Sequence, residues 1–333
     1  MAGNAADPTS PTPDRPPPAW RQATRPLLGT LVTVGVAPAV SPGADGLPGA
    51  DGLPGADALL DAAFAAIERV HALMSFHAPH SDLSRLNAAP PQTVVDVDPA
   101  TCAVLQLAAE VSRASAGIFD ITVAPALVAA GVLPRPAGLP PDPLARWDDL
   151  ILEPPARVRI ARRLWADLGG IAKGYAVDLA AAALEACGAT AYRINAGGDL
   201  RVGGPQTESV LLDLPRHSAA AQPLIELRAG SLASSASTTA RTTHLDGRDR
   251  HAPPTDRFVS VVAARCAVAD ALTKVVLAQG SAAAPTLATF GATAYLHEPA
   301  TGWQVIGGAA RDYHAMAVAC AAVSGQEHLG KGR

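Results

Sequence analysis

The segment from Ala166 to Asp178 constrains this chain more than any other part of its sequence. It reads Ala-Asp-Leu-Gly-Gly-Ile-Ala-Lys-Gly-Tyr-Ala-Val-Asp, so that an acid and a glycine pair separate an apolar, strand-like stretch from an alanine-rich helical pattern. We expect a helix that begins near Lys173. Free N–H groups and the positive end of the helix dipole would favour an anion or a phosphate at this turn. The same residues are compatible with an ordinary strand-to-helix turn in which glycine is a hinge.

Lysine is rare in this chain, and one of its few copies stands in this segment. Among 26 basic residues only three are lysines, at positions 173, 274 and 331. The lysine ammonium is a compact point charge, whereas the arginine guanidinium is a planar fork. A composition that otherwise prefers arginine therefore indicates that a compact ammonium is needed at position 173.

The order of the apolar patterns predicts an α+β fold, with mixed or antiparallel sheets and packed helices. We expect helices over residues 56–74, 99–115, 173–187 and 269–279. We expect strands over residues 27–36, 192–196, 210–214 and 259–263, and shorter ones near Val158, Ile225, Thr293 and Tyr313. No GxGxxG, GxxxxGK[ST] or GxSxG pattern is present, which argues against a Rossmann site, a P-loop and a hydrolase nucleophile elbow.

One main domain is expected to span residues 25–325. Residues 1–24 are polar and rich in proline, and we expect them to form a disordered tail. Residues 326–333 are expected to form a second tail. The motif Gly-Ala-Asp-Gly-Leu-Pro occurs twice in succession, and we interpret residues 43–57 as a Gly/Pro loop that was expanded by duplication and has no catalytic meaning.

Composition excludes two classes of partner and suggests a compartment. The formal net charge is −4 without a basic stripe, so no nucleic-acid partner is expected. No apolar run reaches the roughly 18 residues of a membrane span. The four cysteines have no CxxC or metal-ligand spacing, which is typical of buried thiols in a reducing compartment. Because the amino terminus lacks a secretory apolar region, the sequence predicts a cytoplasmic protein.

Three residues outside the first segment are suited to chemistry, and each also has a purely structural interpretation. Asp120, with the hydroxyl of Thr122, could grip a ribose or an adenine edge, or could form an Asx turn that caps the next element. His244 lies in a stretch rich in Ser and Thr, where it could act as a general base or be a solvated loop residue. Asp270 lies at a predicted helix start, where an acid can simply offset the helix dipole.

Together, these segments resemble the FAD:protein FMN transferase family of ApbE-like flavin transferases. The resemblance runs from about residue 25 to 279 and keeps the family's order. Its motifs are Gly117–Val123, Ala166–Asp178, Asn195–Asp199, His244–Asp246 and Ala269–Thr273. It implies an ApbE-like fold and a transferase that cleaves FAD, attaches FMN to a threonine of an acceptor flavoprotein by a phosphoester bond, and releases AMP. Many members are periplasmic, so the predicted cytoplasmic location departs from the family's habit.

The resemblance also implies roles for individual residues. His244, Asp270 and Lys173 are expected to be catalytic, and His244 is expected to deprotonate the acceptor threonine. Mg²⁺ is expected on Asp270, Thr273 and the carbonyl group of Gly170. The FAD substrate is expected to contact the following residues: Leu28, His77, Ile118, Phe119, Asp120, Asp167, Lys173 and Leu245.

Two positions depart from the family pattern. His77 stands where a flavin-contacting tyrosine is common, and an imidazole can still stack on a ring. One helical turn after Asp270, in place of the family's threonine, this chain has Lys274, and its hydroxyl is at Thr273. Residues i and i+4 share a helix face, so this ammonium could assist the metal or replace it. Because a divalent ion neutralises a pyrophosphate better than an ammonium does, we expect Mg²⁺ with Lys274 in support.

Two other functions stay open. With water as the acceptor, the same pocket would make an FAD pyrophosphatase that gives FMN and AMP. The changes at His77 and Lys274 are also compatible with a non-catalytic FAD-binding module. So is the segment His244–Asp246, which is one residue shorter than the family's element and lacks its proline.

Overall fold

A large antiparallel sheet forms the centre of the fold. The computed structural model describes residues 20–37, 54–212, 214, 222–237, 244–307 and 315–317. Numbered along the chain and given in spatial order, the strands of this sheet are β1 (Arg21–Leu27), β2 (Thr30–Ala37), β6 (Ala191–Ala196), β7 (Asp199–Gly203), β10 (Ser231–Ala236), β11 (Phe258–Ala263), β12 (Thr293–Glu298) and β13 (Gly302–Gly307). All described strand pairs are antiparallel, and the predicted α+β class is confirmed.

Two three-stranded sheets flank this centre. One has the order β3 (Val94–Asp96), β5 (Arg157–Ile160) and β4 (Leu150–Glu153). The other has the order β14 (Ala315–Ala317), β9 (Pro223–Arg228) and β8 (Thr207–Leu211). The second sheet packs on the large sheet through a small apolar core of its own, with Ile225 and Leu227 against Leu200 and Leu232.

Helices bury the larger core. They are α1 (Ala56–Met74), α2 (Asp82–Ala88), α3 (Pro99–Ala114), α4 (Ala124–Ala129), α5 (Ala172–Ala186), α6 (Cys266–Gln279) and α7 (Ala284–Thr289). Helices α1, α5 and α6 pack on the large sheet and on one another. In α1 the buried residues recur at helical spacing, as in Leu60, Phe64 and Ile67, so periodicity alone predicts its bounds. None of the described helices is long and apolar enough to cross a bilayer.

The strand predicted over residues 27–36 is confirmed from Thr30 onward as β2, but its start is wrong, because the chain reverses at Leu28 and Gly29. Leu28 and Gly29 form a two-residue turn between β1 and β2, with φ values of 55° and 73°. Such a turn is typical of a tight hairpin and brings Leu28 to the end of the sheet. Since β1 begins at Arg21, the predicted tail over residues 1–24 also extends too far.

The predicted start of α6 is wrong as well. The helix begins at Cys266 rather than near residue 269, because the distant Asp178 accepts hydrogen bonds from the first two helical N–H groups. The distances are 2.8 Å from Cys266 N and 3.0 Å from Ala267 N. Asp270 therefore lies in the second turn of the helix, away from the free N–H groups of its first turn.

Some predicted boundaries shift, and others cannot be compared. α1 begins at Ala56, inside the predicted loop over residues 43–57, and β10 includes the first residues of the predicted polar stretch at 234–250. The duplicated motif, Tyr313 and the tail at 326–333 lie outside the described residues.

Candidate active site

A cleft of about 350 Å³ opens where the end of α1 faces the start of α5. Its volume lies within the range of roughly 300–1,000 Å³ that is common for ligand pockets. One wall is largely apolar and is formed by Val70, Met74, Phe76, Leu127, Val132 and Leu133. At the other side the cleft meets the glycine pair and the charged residues of α5 and α6. One site therefore combines an apolar wall with a charged end.

The residues that were predicted to contact FAD come from five separate stretches of the chain, and all of them line this cleft. They are Leu28, His77, Ile118, Phe119, Asp120, Asp167, Lys173 and Leu245. His244, Gly170 and Lys274 line it too. The other two predicted residues, Asp270 and Thr273, are almost fully buried.

Lys173 joins two buried carboxylates at the charged end. It occupies the first turn of α5, and its Nζ lies 2.9 Å from Asp199 Oδ2 and 3.2 Å from Asp270 Oδ2. The backbone N–H of Gly174 donates to the same Asp270 oxygen at 3.3 Å. The start of the helix thus faces a carboxylate that belongs to the protein itself.

Lys274 holds the second oxygen of Asp270. One turn further along α6, its ammonium donates to Asp270 Oδ1, and it also donates to Ser235 Oγ at 3.2 Å. The backbone passes close by at Gly170, where a methyl group would lie 3.3 Å from Lys274 Cε and 3.5 Å from Phe119 Cε2. Both oxygens of Asp270 therefore accept hydrogen bonds from ammonium groups.

Within the cluster of Lys173, Lys274, Asp199 and Asp270, burial and the neighbouring charges shift the pKa values of Asp270, Asp199 and Lys173. Burial alone would raise the pKa of Asp270, but the two ammonium groups outweigh it and hold that pKa well below its usual range. Burial, followed by the nearby Asp270 carboxylate, raises the pKa of Asp199 to about 7. Burial acts against the charge of Lys173, yet the Asp270 and Asp199 carboxylates raise its pKa above the ordinary value.

Asp120 is held from behind the cleft wall. Its carboxylate accepts hydrogen bonds from the backbone N–H and the hydroxyl of Thr122, both at 2.7 Å, and it forms an ion pair with Arg250 at 3.1 Å. This is the Asx turn that the sequence left open as an alternative to a nucleotide contact. Burial raises the pKa of this carboxyl group, against the opposing effect of Arg250.

Asp167 stands between the wall and the glycine pair. Its N–H donates to the carbonyl oxygen of Ile121 at 2.7 Å, which joins the segment before α5 to the cleft wall. Burial raises the pKa of its carboxyl group, while a hydrogen bond from the backbone N–H of Gly169 opposes this effect.

His244 is brought to the cleft by the loop that follows it. Gly247 donates its N–H to the carbonyl oxygen of Ile118 at 2.8 Å, so the loop docks against the cleft wall. Burial and then the Lys274 ammonium lower the pKa of His244 to about 3, so its imidazole is neutral near pH 7. Asp246 does not orient this ring, because its carboxylate is bound by Arg248 at 2.7 and 3.0 Å.

The predicted magnesium ligands do not form an open cation site. Asp270 has an ammonium on each oxygen. The hydroxyl of Thr273 donates to the Asp270 carbonyl at 2.7 Å and lies 2.9 Å from Ser235 Oγ. A divalent ion 4 Å from one ammonium would be repelled by roughly 8 kcal/mol at an effective dielectric constant of about 20. Within the described ranges, no group of three or more His, Cys, Asp or Glu side chains could hold a metal ion. These side chains do not fit Mg²⁺ while Lys274 binds Asp270.

Sequence reasoning missed two members of the cluster. Asp199 ends the Asn195–Asp199 motif of the family resemblance and was given no role of its own, yet its carboxylate pairs with Lys173. Ser235 lies in a serine-rich stretch whose strand character was not recognised. Because a buried Lys173 needs a carboxylate partner, Asp199 could have been predicted as that partner. Nothing in the local sequence pointed to Ser235.

The same architecture occurs in flavin transferases of known structure. ApbE from Pseudomonas stutzeri superimposes with a TM-score of 0.72 at 21% identity, over 86% of this chain and 94% of that chain. Flavin transferase ApbE from Vibrio cholerae gives a TM-score of 0.71 at 20% identity, over 88% of this chain and 98% of that one. The fold is therefore that of the ApbE flavin transferases.

The chain belongs to the ApbE family, whose family model matches residues 28–296. The FAD:protein FMN transferase of Haemophilus influenzae is 31% identical over 158 residues, which cover 43% of this chain and 46% of that protein. The FAD:protein FMN transferase of Vibrio cholerae is 29% identical over 153 residues, with the same shares. The chain thus spans less than half the length of either curated relative. The family resemblance seen in the sequence is confirmed.

Proposed function

We propose that this protein is an FAD:protein FMN transferase. It would cleave the diphosphate of FAD, attach FMN to a threonine of an acceptor flavoprotein by a phosphoester bond, and release AMP. Membership of the ApbE family and the two relatives that carry this name support the proposal. The observation that carries it is the single cleft in which an apolar wall faces Lys173 and Lys274. Such a site suits a flat ring system joined to a diphosphate.

The step we propose is a phosphoryl transfer. The threonine oxygen attacks the phosphorus atom on the FMN side, a new P–O bond forms, and the bond from that phosphorus to the bridging oxygen breaks as AMP leaves. Positioning and charge neutralisation dominate in such reactions. Lys173 and Lys274 would neutralise the diphosphate, and His244, which lines the same cleft, would accept the threonine proton.

Asp270 would position Lys173 and Lys274 and would not touch the substrate itself. Its carboxylate is almost fully buried and binds both ammonium groups, so it would fix their spacing against the diphosphate. Asp199 would share this role through Lys173. The contacts of Asp120 and Asp167 with FAD stay predictions, because the Asp120 carboxylate is bound by Arg250 and the Asp167 carboxylate by a backbone N–H.

Magnesium dependence and the cytoplasmic location also stay predictions. Mg²⁺ would supply positive charge to the diphosphate in relatives that use it, but no step above depends on it. The three predicted ligands, Asp270, Thr273 and the Gly170 carbonyl, could hold the ion only if Lys274 released Asp270.

Mass spectrometry with FAD and candidate acceptor domains tests the transfer. We expect the acceptor to gain the mass of FMN less one water, with one AMP released for each FMN attached. The matched control is the same acceptor with its target threonine changed to valine, which should stay unmodified. Release of free FMN and AMP without labelling would instead identify an FAD pyrophosphatase, and intact FAD would identify a binding module.

A further inference from the structure

In the cluster at the charged end, the cations lie nearer to the cleft than the carboxylates do. Lys173 and Lys274 line the cleft, whereas their carboxylate partners lie behind them. The side chains of Lys173 and Lys274 are 28% and 11% exposed, and those of Asp199 and Asp270 are 2% and 1% exposed. With both carboxylates ionised the four charges of the cluster sum to zero, but the two members that line the cleft are its cations.

Lys274 stands in the place where a cation on Asp270 would have to be. Its ammonium is in direct contact with Asp270 Oδ1 and is also held by Ser235. The other Asp270 oxygen is taken by Lys173 and by the N–H of Gly174. A metal ion could reach this carboxylate only by displacing an ammonium that has two partners of its own.

The hydroxyl of Thr273 does not offer a metal ligand in place of the occupied Asp270 oxygens. Its hydroxyl proton goes to the Asp270 carbonyl of its own helix, and its oxygen faces Ser235. Ser235 in turn accepts from Lys274. The hydroxyl groups near Asp270 therefore form one network with the Lys274 ammonium and reinforce its position.

We propose that Lys274 takes the place of a divalent cation in this chain, so that FAD is bound and its diphosphate neutralised by Lys173 and Lys274 without a metal ion. This proposal rests on the proposed function for its substrate. It corrects the expectation from sequence that Mg²⁺ binds and Lys274 assists. Lysine is suited to this role because its ammonium is a compact charge that donates up to three hydrogen bonds.

FAD titrations with and without metal test the proposal. The full chain is freed of metal, and FAD binding is followed by flavin fluorescence in excess EDTA and in millimolar MgCl₂. We expect the wild type to have the same affinity in both buffers, within about twofold. A requirement for Mg²⁺, seen as an affinity or a transfer rate at least tenfold lower in EDTA, would overturn the proposal. This comparison needs no variant.

Lys274→Thr sharpens the test because it places a hydroxyl one turn after Asp270. Loss of one charged hydrogen bond to the diphosphate should weaken FAD binding in EDTA by roughly ten- to a hundredfold. MgCl₂ should restore much of that loss in this variant alone. Unchanged affinity of a folded Lys274→Thr protein in EDTA would contradict the proposal. If Lys274→Thr unfolds, Lys274→Arg is measured, and a gain of Mg²⁺ dependence there would also contradict it.

Arg157→Thr is the matched control, since it also removes one positive charge. Arg157 lies in β5, outside the residues that line the cleft, and within the described part of the chain its side chain pairs with Glu153 at 3.7 Å. It should behave as the wild type does in both buffers, and an equal loss in this variant would overturn the assignment to Lys274. The test is independent of transfer. Tight, metal-independent binding without acceptor labelling would refute the proposed function and leave the role of Lys274 standing.

Discussion

Two buried carboxylates beside this cleft pair with cations, and the pairings differ in where the cation lies. Asp120 pairs with Arg250, which approaches from behind the wall and lines a different cavity together with Thr122. Asp270 pairs with Lys173 and Lys274, which both line the cleft. In the first pairing the cation holds the wall in place. In the second, the carboxylate holds the cations towards the ligand.

The two pairings also use different cations, arginine at Asp120 and lysine at Asp270. A guanidinium forms several fixed hydrogen bonds, and Arg250 uses one nitrogen to reach both Asp120 at 3.1 Å and Thr122 at 3.1 Å. An ammonium is a smaller charge that can be shared between a buried acid and a substrate. Arg250 therefore serves the structure of the wall, and both described lysines stand at the site.

The largest expected effect follows from removing the acid that both lysines share. In Asp270→Asn, two ammonium groups face one remaining carboxylate, Asp199. Removal of one partner from a buried ion pair costs about 3–5 kcal/mol of unfolding free energy. Misplaced charge at the diphosphate should also slow transfer by roughly a hundredfold. Urea unfolding and the FAD-dependent mass shift of an acceptor measure the two effects.

Arg250→Met is the comparison for this variant, since it leaves Asp120 without its cation. We expect a similar loss of unfolding free energy. Transfer per folded molecule should stay within about threefold of the wild type, because clusters that share no partners act independently. If Arg250→Met slows transfer as much as Asp270→Asn does, the distinction between a structural and a functional pair fails.

Lys173→Met should separate recognition of the phosphates from recognition of the ring. Loss of a charged hydrogen bond should weaken FAD binding by roughly ten- to a hundredfold, while riboflavin, which has no phosphate, should lose little. Calorimetry with FAD, FMN and riboflavin measures this difference. We also expect the wild type to bind FAD more tightly than FMN. Equal affinity for the two would contradict the placement of the diphosphate at the lysines.

The pH dependence of the free energy of unfolding tests the environment of His244. Its pKa falls from the ordinary histidine value of 6.5 to about 3 in the folded protein, so below pH 6.5 the unfolded chain binds the extra proton. This contribution is complete above pH 6.5 and decreases as the pH falls towards 3, by about 2 kcal/mol between pH 7 and 5. The raised pKa of Asp199 acts in the opposite direction between its ordinary value and about 7.

Because these two effects overlap, the quantity to measure is the difference between the wild type and His244→Gln. Urea unfolding from pH 7 to 5 should show that the wild type loses more stability than the variant. Parallel profiles would mean that His244 is not buried beside Lys274 as the structure places it.

The smallest effect concerns the spacing of the two helices that carry the lysines. A methyl group on Gly174 would overlap the carbonyl oxygen of Cys266 and lie 2.8 Å from the Cα of Ala267. Gly174→Ala should therefore cost about 1–3 kcal/mol, less the helical preference of alanine. Thermal unfolding measures it. Gly55→Ala, where no atom lies within 4 Å, should change stability by less than about 0.5 kcal/mol.

The sequence pattern predicted the helices whose bounds are set by residues within or next to them. The bounds of α1 follow from its apolar stripe, and α3 follows from its own stripe and from Asp98, whose side chain accepts from Ala100 N. The start of α6 could not be predicted in this way, since the cap is Asp178, 88 residues away. β10 was missed because its serines do not follow an alternating apolar pattern, and they face other hydroxyl groups, Ser234 that of Ser260 and Ser235 that of Thr273.

The site was predicted by residue type but not by arrangement. Every predicted FAD contact lines the cleft, since the motifs mark which turns face one another. The pairing of Asp120 with Arg250 joins positions 130 residues apart, and Asp270 lies 97 residues from Lys173. Which charged residues pair over such distances along the chain depends on tertiary packing, and a local sequence pattern cannot predict it. This is why the sequence favoured Mg²⁺ on Asp270, whereas the structure places Lys274 there.

The order of strands in the large sheet sets when the cleft can form during synthesis. β2 pairs with β6, as in Val36 with Tyr192, so its partner leaves the ribosome about 150 residues later. At a synthesis rate of about 5–20 residues per second, the backbone edge of β2 waits roughly 8–30 s for its partner strand, whereas α1, which packs on the same hairpin, is made much earlier. The acid on α6 comes later still. The β2 edge therefore stays unpaired until β6 is made, and the cleft is complete only once α6, with Asp270 and Lys274, has followed.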